Sequence, residues 1–110
     1  MLSLPGSKKL RISGPARTDL AAIGKYTERE WGVEQKRKYL DCIRMCLKSL
    51  AQNPALGMHR DDIDQGLQSH PVERHMIFYR ESVNEIVIVR VLHQSMDVES
   101  YVGERGYTTR

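Results

Sequence analysis

No stretch of this chain approaches the roughly 18 consecutive apolar residues that a membrane-spanning helix requires. Met1 to Lys9 lacks the apolar h-region of a secretory signal, so a cytoplasmic location is expected. There are only two cysteines, Cys42 and Cys46. They stand four apart in a helix-like stretch, where i, i+4 geometry serves a disulfide poorly. No second Cys/His pair has zinc-finger spacing, so they are expected to be plain thiols in a reducing compartment. Internal repeats, low-complexity tracts, a Gly-rich phosphate loop, a Ser-His-Asp order and paired catalytic carboxylates are all missing. Asp61, Asp62 and Asp64 lack the ligand spacing and terminal glutamate of a calcium loop, and are read as turn chemistry. No metal and no cofactor is expected.

What is present is enough for one ordinary domain. The 110 residues are 40% hydrophobic and 28% charged, a composition that supports a single core without cross-links. A net charge of +3 favours an acidic protein partner or a nucleic-acid-associated target without choosing between them.

Lys8 to Ser13 alternates, with Leu10 and Ile12 on one side, as a half-buried strand does. Gly14-Pro15 breaks it, and Pro15 suits the first position of a helix. Asp19 is expected in the first turn, facing the positive end of the helix dipole. Ala16, Leu20, Ile23, Thr27 and Trp31 form a stripe at helical spacing. Gly24 within it is expected to admit another backbone, and Gly32 to act as a left-handed stop. A second helix is predicted from Val33 to Gln52, with Tyr39, Leu40, Ile43, Cys46, Leu47 and Leu50 on its apolar face and Asn53-Pro54 ending it. Arg37, Arg44 and Lys48 make its solvated side. The join at Gly32 implies an antiparallel hairpin.

A loop with one helical turn is expected from Asn53 to Gly66. Leu67 to Val72 reads as a weak strand, with Pro71 at an edge or bulge. Arg74 to Arg80 is a stronger strand, and Glu81 to Asn84 a hairpin connection. The β-branched run in Glu85 to His93 reads as a central strand covered on both faces. Asp97 caps a last short helix, Val98 to Val102, and Gly103 to Arg110 is expected to fray. The sum is an α+β domain spanning the chain, with an ordered core from 8 to 102. An N-terminal strand and a helical hairpin pack on an antiparallel sheet, and a short C-terminal helix follows.

Several phrases in this order resemble the ParE branch of the ParE/RelE toxin clan. They are Ala16-Arg17-Thr18-Asp19-Leu20 with Ile23, Tyr26 and Trp31-Gly32; Leu50-Ala51-Gln52-Asn53-Pro54 with Gly57; Arg60-Asp61-Asp62-Ile63 with Gly66-Leu67; His75-Met76-Ile77-Phe78-Tyr79; and Val89-Arg90-Val91-Leu92-His93-Gln94-Ser95-Met96-Asp97. The last is the most specific. The resemblance implies a RelE/ParE-like fold and the toxic half of a type II toxin–antitoxin pair that inhibits DNA gyrase. It also implies a ParD-like antitoxin that wraps the toxin and alone binds operator DNA, so this chain meets DNA only through its partner.

For the antitoxin, the candidate contacts are Arg74, Arg80, Arg90, Leu20 and Trp31. The alternative within the clan is a ribosome-dependent mRNA endonuclease. It needs acid/base and phosphate-stabilising groups, for which Arg74, Arg80, His93 and Tyr107 are the candidates, with Arg60, His70, His75 and Arg90 as further basic residues. A regular strand would put Arg74 and Arg80 on one face and His75 on the other. Tyr107 lies on a glycine-flanked tail, where rigid catalytic placement is hard to achieve. The leaning is therefore to a non-catalytic inhibitor.

Overall fold

The computed structural model describes residues 8–96. Strand β1 (Lys9–Ile12) runs into helix α1 (Gly14–Trp31) through Ser13. The Ser13 hydroxyl caps the helix by accepting from the Ala16 N–H at 3.1 Å, and donates to the Val89 carbonyl at 3.0 Å. One side chain thus starts α1 and fastens it to the sheet.

Gly32 ends α1 with φ 95° and ψ 168°, a conformation essentially reserved for glycine. Helix α2 (Val33–Gln52) begins at the next residue. Pairs placed symmetrically about Gly32 meet, which defines the antiparallel hairpin. Lys36 binds Glu28 at 3.0 Å, and a Cβ on Gly24 would meet Lys36 Cε at 3.3 Å and Leu40 Cδ1 at 3.4 Å. Gly24 therefore admits side chains of α2 rather than a second backbone. After Asn53 come a 3-10 turn (Pro54–Leu56), then β2 (Met58–His59), β3 (Gln68–Val72), β4 (His75–Glu81) and β5 (Glu85–His93). The two-residue β2 lies inside the segment expected to be loop.

The sheet order is β1-β5-β4-β3-β2. All pairs are antiparallel except β1 with β5, which is parallel and makes the sheet mixed. Hairpin-joined strands must run antiparallel, but β1 reaches its neighbour only through the whole intervening chain, so no turn dictates its direction. Pro71 pairs with Met76 beyond the end of β2, where β3 has no outer strand and no ladder donor is needed.

Apolar side chains gather on both faces of the sheet. Ala16, Ile23, Ile43, Leu47 and Leu50 of the helices pack on Ile77, Tyr79, Ile86, Ile88 and Val91. On the other face Phe78, Val89 and Leu92 pack with Leu67, Ile63 and Met76. Strand β5 is therefore central and covered on both sides. Phe78 pairs with Arg90 and Tyr79 with Ile88, which leaves Val89 as a bulge. The extra residue resets the alternation, so Ile88 and Val91, three apart, both face the helices.

Asp19 lies beyond the first turn of α1, and its carboxylate faces the sheet instead of the helix end. The expected C-terminal helix, the tail and Tyr107 fall outside the described residues.

A candidate partner-binding groove

Between the helical hairpin and the end of the sheet lies a groove of about 640 Å³. Helix α1 supplies Ala22, Ile23, Tyr26 and Thr27, with Trp31 at its end. Helix α2 adds Gln35 and Tyr39, the β3–β4 turn adds Glu73 and Arg74, and His75 and His93 complete the wall. Thr27 donates its hydroxyl to the Ile23 carbonyl at 2.7 Å, which satisfies that polar group within the helix. Trp31 is 67% exposed and Tyr26 56% exposed at the mouth. The stripe on α1 thus leaves the core before its last member.

The inner end of the groove is organised by Tyr39. Its oxygen accepts the Arg74 backbone N–H at 3.1 Å and lies 2.7 Å from His75 Nδ1. Nδ1 is the one acceptor within reach of the phenol among the described residues, so the phenol proton goes there, and neutral His75 carries its own proton on Nε2. The ring of His75 stands edge-on between Tyr39 and His93, with centroids 5.5 and 5.3 Å away. Burial first, and then the charge of His93, hold His75 down to a pKa of about 4, against a smaller opposing pull from Asp19. Burial pushes the Tyr39 hydroxyl up. At neutral pH the phenol and the imidazole are therefore both uncharged.

Arg74 does not continue β4. It shares the two-residue turn between β3 and β4 with Glu73, whose φ is +54°, so strand alternation does not reach it. Arg74 and His75 consequently line the same groove, whereas Arg80 lies away from it. Arg80 binds Asp64 at 2.6 Å and the Gln65 carbonyl at 2.7 Å. Arg90 is gripped by Asp19 through two 2.7 Å bonds. Leu20 is half-buried against the helix-side core. Of the residues singled out from sequence, the groove collects Trp31, Arg74, His93 and, from the further basic residues, His75.

Two lining residues escape sequence reasoning as groove residues, and the meeting of a third with Arg74 escapes it too. Tyr39 has the spacing of a core residue. Tyr26 lies on the flank of the α1 stripe. Regular alternation puts His75 on the face of β4 opposite Arg74. Elsewhere several polar side chains have local partners. His70 Nδ1 lies 2.8 Å from the Pro71 carbonyl and 3.5 Å from the Cys46 thiol. Asp61 accepts the Gly66 N–H at 2.8 Å, and Asp62 pairs with Arg60 at 3.1 Å. Among the described residues no group of three or more His, Cys, Asp or Glu could hold a metal, and no helix is long and apolar enough to cross a membrane.

A helical hairpin laid on a five-stranded mixed sheet, with a parallel N-terminal edge strand, defines a RelE/ParE-like α+β toxin fold. The same architecture occurs in a chromosomal ParDE toxin–antitoxin system of Pseudomonas aeruginosa, with a TM-score of 0.70 at 24% identity, over 80% of this chain and 97% of that one. It also occurs in the RelBE2 toxin–antitoxin complex of Mycobacterium tuberculosis, with a TM-score of 0.63 at 19% identity, over 84% and 97%. Sequence narrows the class. Residues 10–98 match the family model of the ParE toxin of the type II toxin–antitoxin system parDE. Toxin ParE1 of Caulobacter vibrioides is 34% identical over 87% of this chain and 99% of its own length. Toxin ParE1 of Mycobacterium tuberculosis is 35% identical over 84% and 96%. The chain belongs to the ParE toxin family of type II toxin–antitoxin systems.

Proposed function

We propose that this toxin arrests cells by inhibiting DNA gyrase without catalysis of its own, and that a ParD-like antitoxin neutralises it by laying a segment in the groove. The observation that carries the antitoxin half is the surface itself: Trp31 and Tyr26 stand exposed over an open cleft that ends at Arg74. Aromatic and arginine side chains around a concavity are the usual anchors of a tight interface. Among the candidate contacts, Trp31 and Arg74 then meet the antitoxin directly. Leu20, Arg80 and Arg90 shape the surfaces behind them through their own packing and ion pairs.

The gyrase half rests on membership in the ParE family together with the scatter of the nuclease candidates. Arg74 and His93 share the groove, while Arg80 is tied to Asp64, so the two arginines do not converge on one phosphate. Expression of the chain alone is the test. Filamentous cells carrying trapped gyrase–DNA breaks are expected, relieved by co-expression of the antitoxin. Messages cut at ribosomes with gyrase untouched would replace this reading with the endonuclease one.

A further inference from the structure

At the inner end of the groove three hydrogen-bond donors are left over among the described residues. Among the described residues the Arg74 guanidinium has no ion-pair or side-chain hydrogen-bond partner. His75 has spent Nδ1 on Tyr39, which leaves its Nε2–H without a partner among the described residues at the groove wall. His93 accepts the Ser95 N–H on Nδ1 at 3.1 Å, which leaves its Nε2–H to face outward. The Gln94 N–H donates to the Arg74 carbonyl at 3.0 Å, which binds the end of β5 to the turn that carries the arginine. Backbone hydrogen bonds therefore anchor the turn and the strand end from which these side chains project.

Resting on the reading that the groove receives the antitoxin, we infer that Arg74, His75 and His93 form a subsite for one acidic side chain of that segment. A carboxylate is the matching anion. One guanidinium flanked by two imidazole N–H donors suits a singly charged anion, and the Glu73 carboxylate at the same wall disfavours a doubly charged phosphate. The apolar stretch between Tyr26, Trp31 and Ile23 would take the neighbouring hydrophobic side chain, so the subsite also fixes the register of the segment.

The subsite carries a proton signature. The groups facing His75 are Tyr39 from α2, Glu73 and Arg74 from the turn, His93 from β5 and, more distantly, Asp19 from α1. In the free protein burial and His93 keep His75 neutral to about pH 4. A carboxylate set against its Nε2 favours the charged ring and raises that value. Binding then takes up protons at mildly acidic pH, and affinity rises as the pH falls from 7 towards 5.

The experiment is calorimetric titration of the toxin with the ParD-type antitoxin encoded beside its gene. It is run at several pH values, and at pH 5.5 in two buffers of different ionisation enthalpy. Wild-type toxin should show net proton uptake. Arg74→Gln and His93→Gln, both at exposed positions that the core does not need, should each weaken binding at least tenfold. Arg74→Lys should recover part of the loss. His93→Gln should also reduce the proton uptake, because it removes one wall of the subsite. Circular dichroism checks that the variants remain folded. A complex of wild-type affinity with both Gln variants, or one formed without proton uptake, overturns the subsite while leaving the antitoxin reading intact. Failure of the wild-type chain to bind that antitoxin at all overturns both.

Discussion

The carboxylate of Asp19 holds Arg90 by two bonds of 2.7 Å and at the same time accepts the Val91 N–H at 3.0 Å. β1 ends its pairing at Ile88, so beyond that point the edge of β5 would be bare. Asp19 takes the place of the missing strand and locks α1 to the sheet. Asp19→Ala removes this acceptor from a mostly buried guanidinium and from an amide, with an expected loss of about 3 kcal/mol. Arg90→Met in the same chain should return much of it, because the charge that Asp19 compensated is gone. Urea midpoints of the two single variants and the double variant check this. Additive losses would mean the pair is not coupled.

Gly57 is fixed by a close approach rather than by its dihedral angles. The Tyr79 hydroxyl accepts the Gly57 N–H at 3.0 Å and donates to the Pro54 carbonyl at 2.6 Å. A Cβ on Gly57 would run into that hydroxyl and lie 2.7 Å from the Ser69 carbonyl oxygen. Gly57→Ala should therefore destabilise the fold by roughly 2 kcal/mol, as overpacking does. Tyr79→Phe should cost about 1 kcal/mol for the lost hydrogen bonds. When the two substitutions are combined, the penalty of Gly57→Ala should shrink, because the oxygen that the new methyl meets is absent. An unchanged penalty in thermal melts would point to the backbone contact alone.

The elements legible in the sequence are those whose signals are local. Pro15, Gly32 and Asn53-Pro54 punctuate the helices, and the bounds of α2 and β5 follow from periodicity and β-branching alone. The rest depends on partners remote in sequence. A two-residue strand such as β2 has no period to detect. The direction of β1 is set by β5, far along the chain. The groove is half visible. Trp31, Arg74, His75 and His93 can be picked out by residue type, but Tyr39 looks like an ordinary face residue, and His75 like one turned away from Arg74, until the β3–β4 turn is folded against α2. Glu73 is the reason the count fails there. Its positive φ ends the alternation on which the pairing of Arg74 with Arg80 depends.

Acid should weaken the fold through His75. Its folded pKa, about 4, lies below the usual histidine value of roughly 6.5 in an unfolded chain. Between those values the unfolded state binds more protons, so stability is full above about pH 6.5, falls as pH drops towards 4, and then levels off. The total loss is on the order of 2 kcal/mol, since the ring is only half-buried. His75→Phe fills the site without a titrating group and should flatten this part of the profile. A wild-type curve with no slope between pH 6.5 and 4, after subtraction of the His75→Phe curve, would contradict the neutral assignment of the ring.

Trp31 separates folding from function most cleanly. At 67% exposed it contributes little to the core, and a surface truncation away from caps and cavities shifts stability by only about 0.5 kcal/mol. An exposed tryptophan at the mouth of an apolar groove is, by contrast, the kind of side chain whose loss from an interface costs about 2 kcal/mol or more. Trp31→Ala should leave the melting temperature within a few degrees of wild type and weaken the antitoxin complex about thirtyfold. If gyrase contacts a different surface, the variant should remain toxic, and the antitoxin should rescue cells poorly. A variant that loses toxicity together with antitoxin affinity would mean that both partners use the mouth of the groove, and that the antitoxin protects the cell by occupying the surface the target needs.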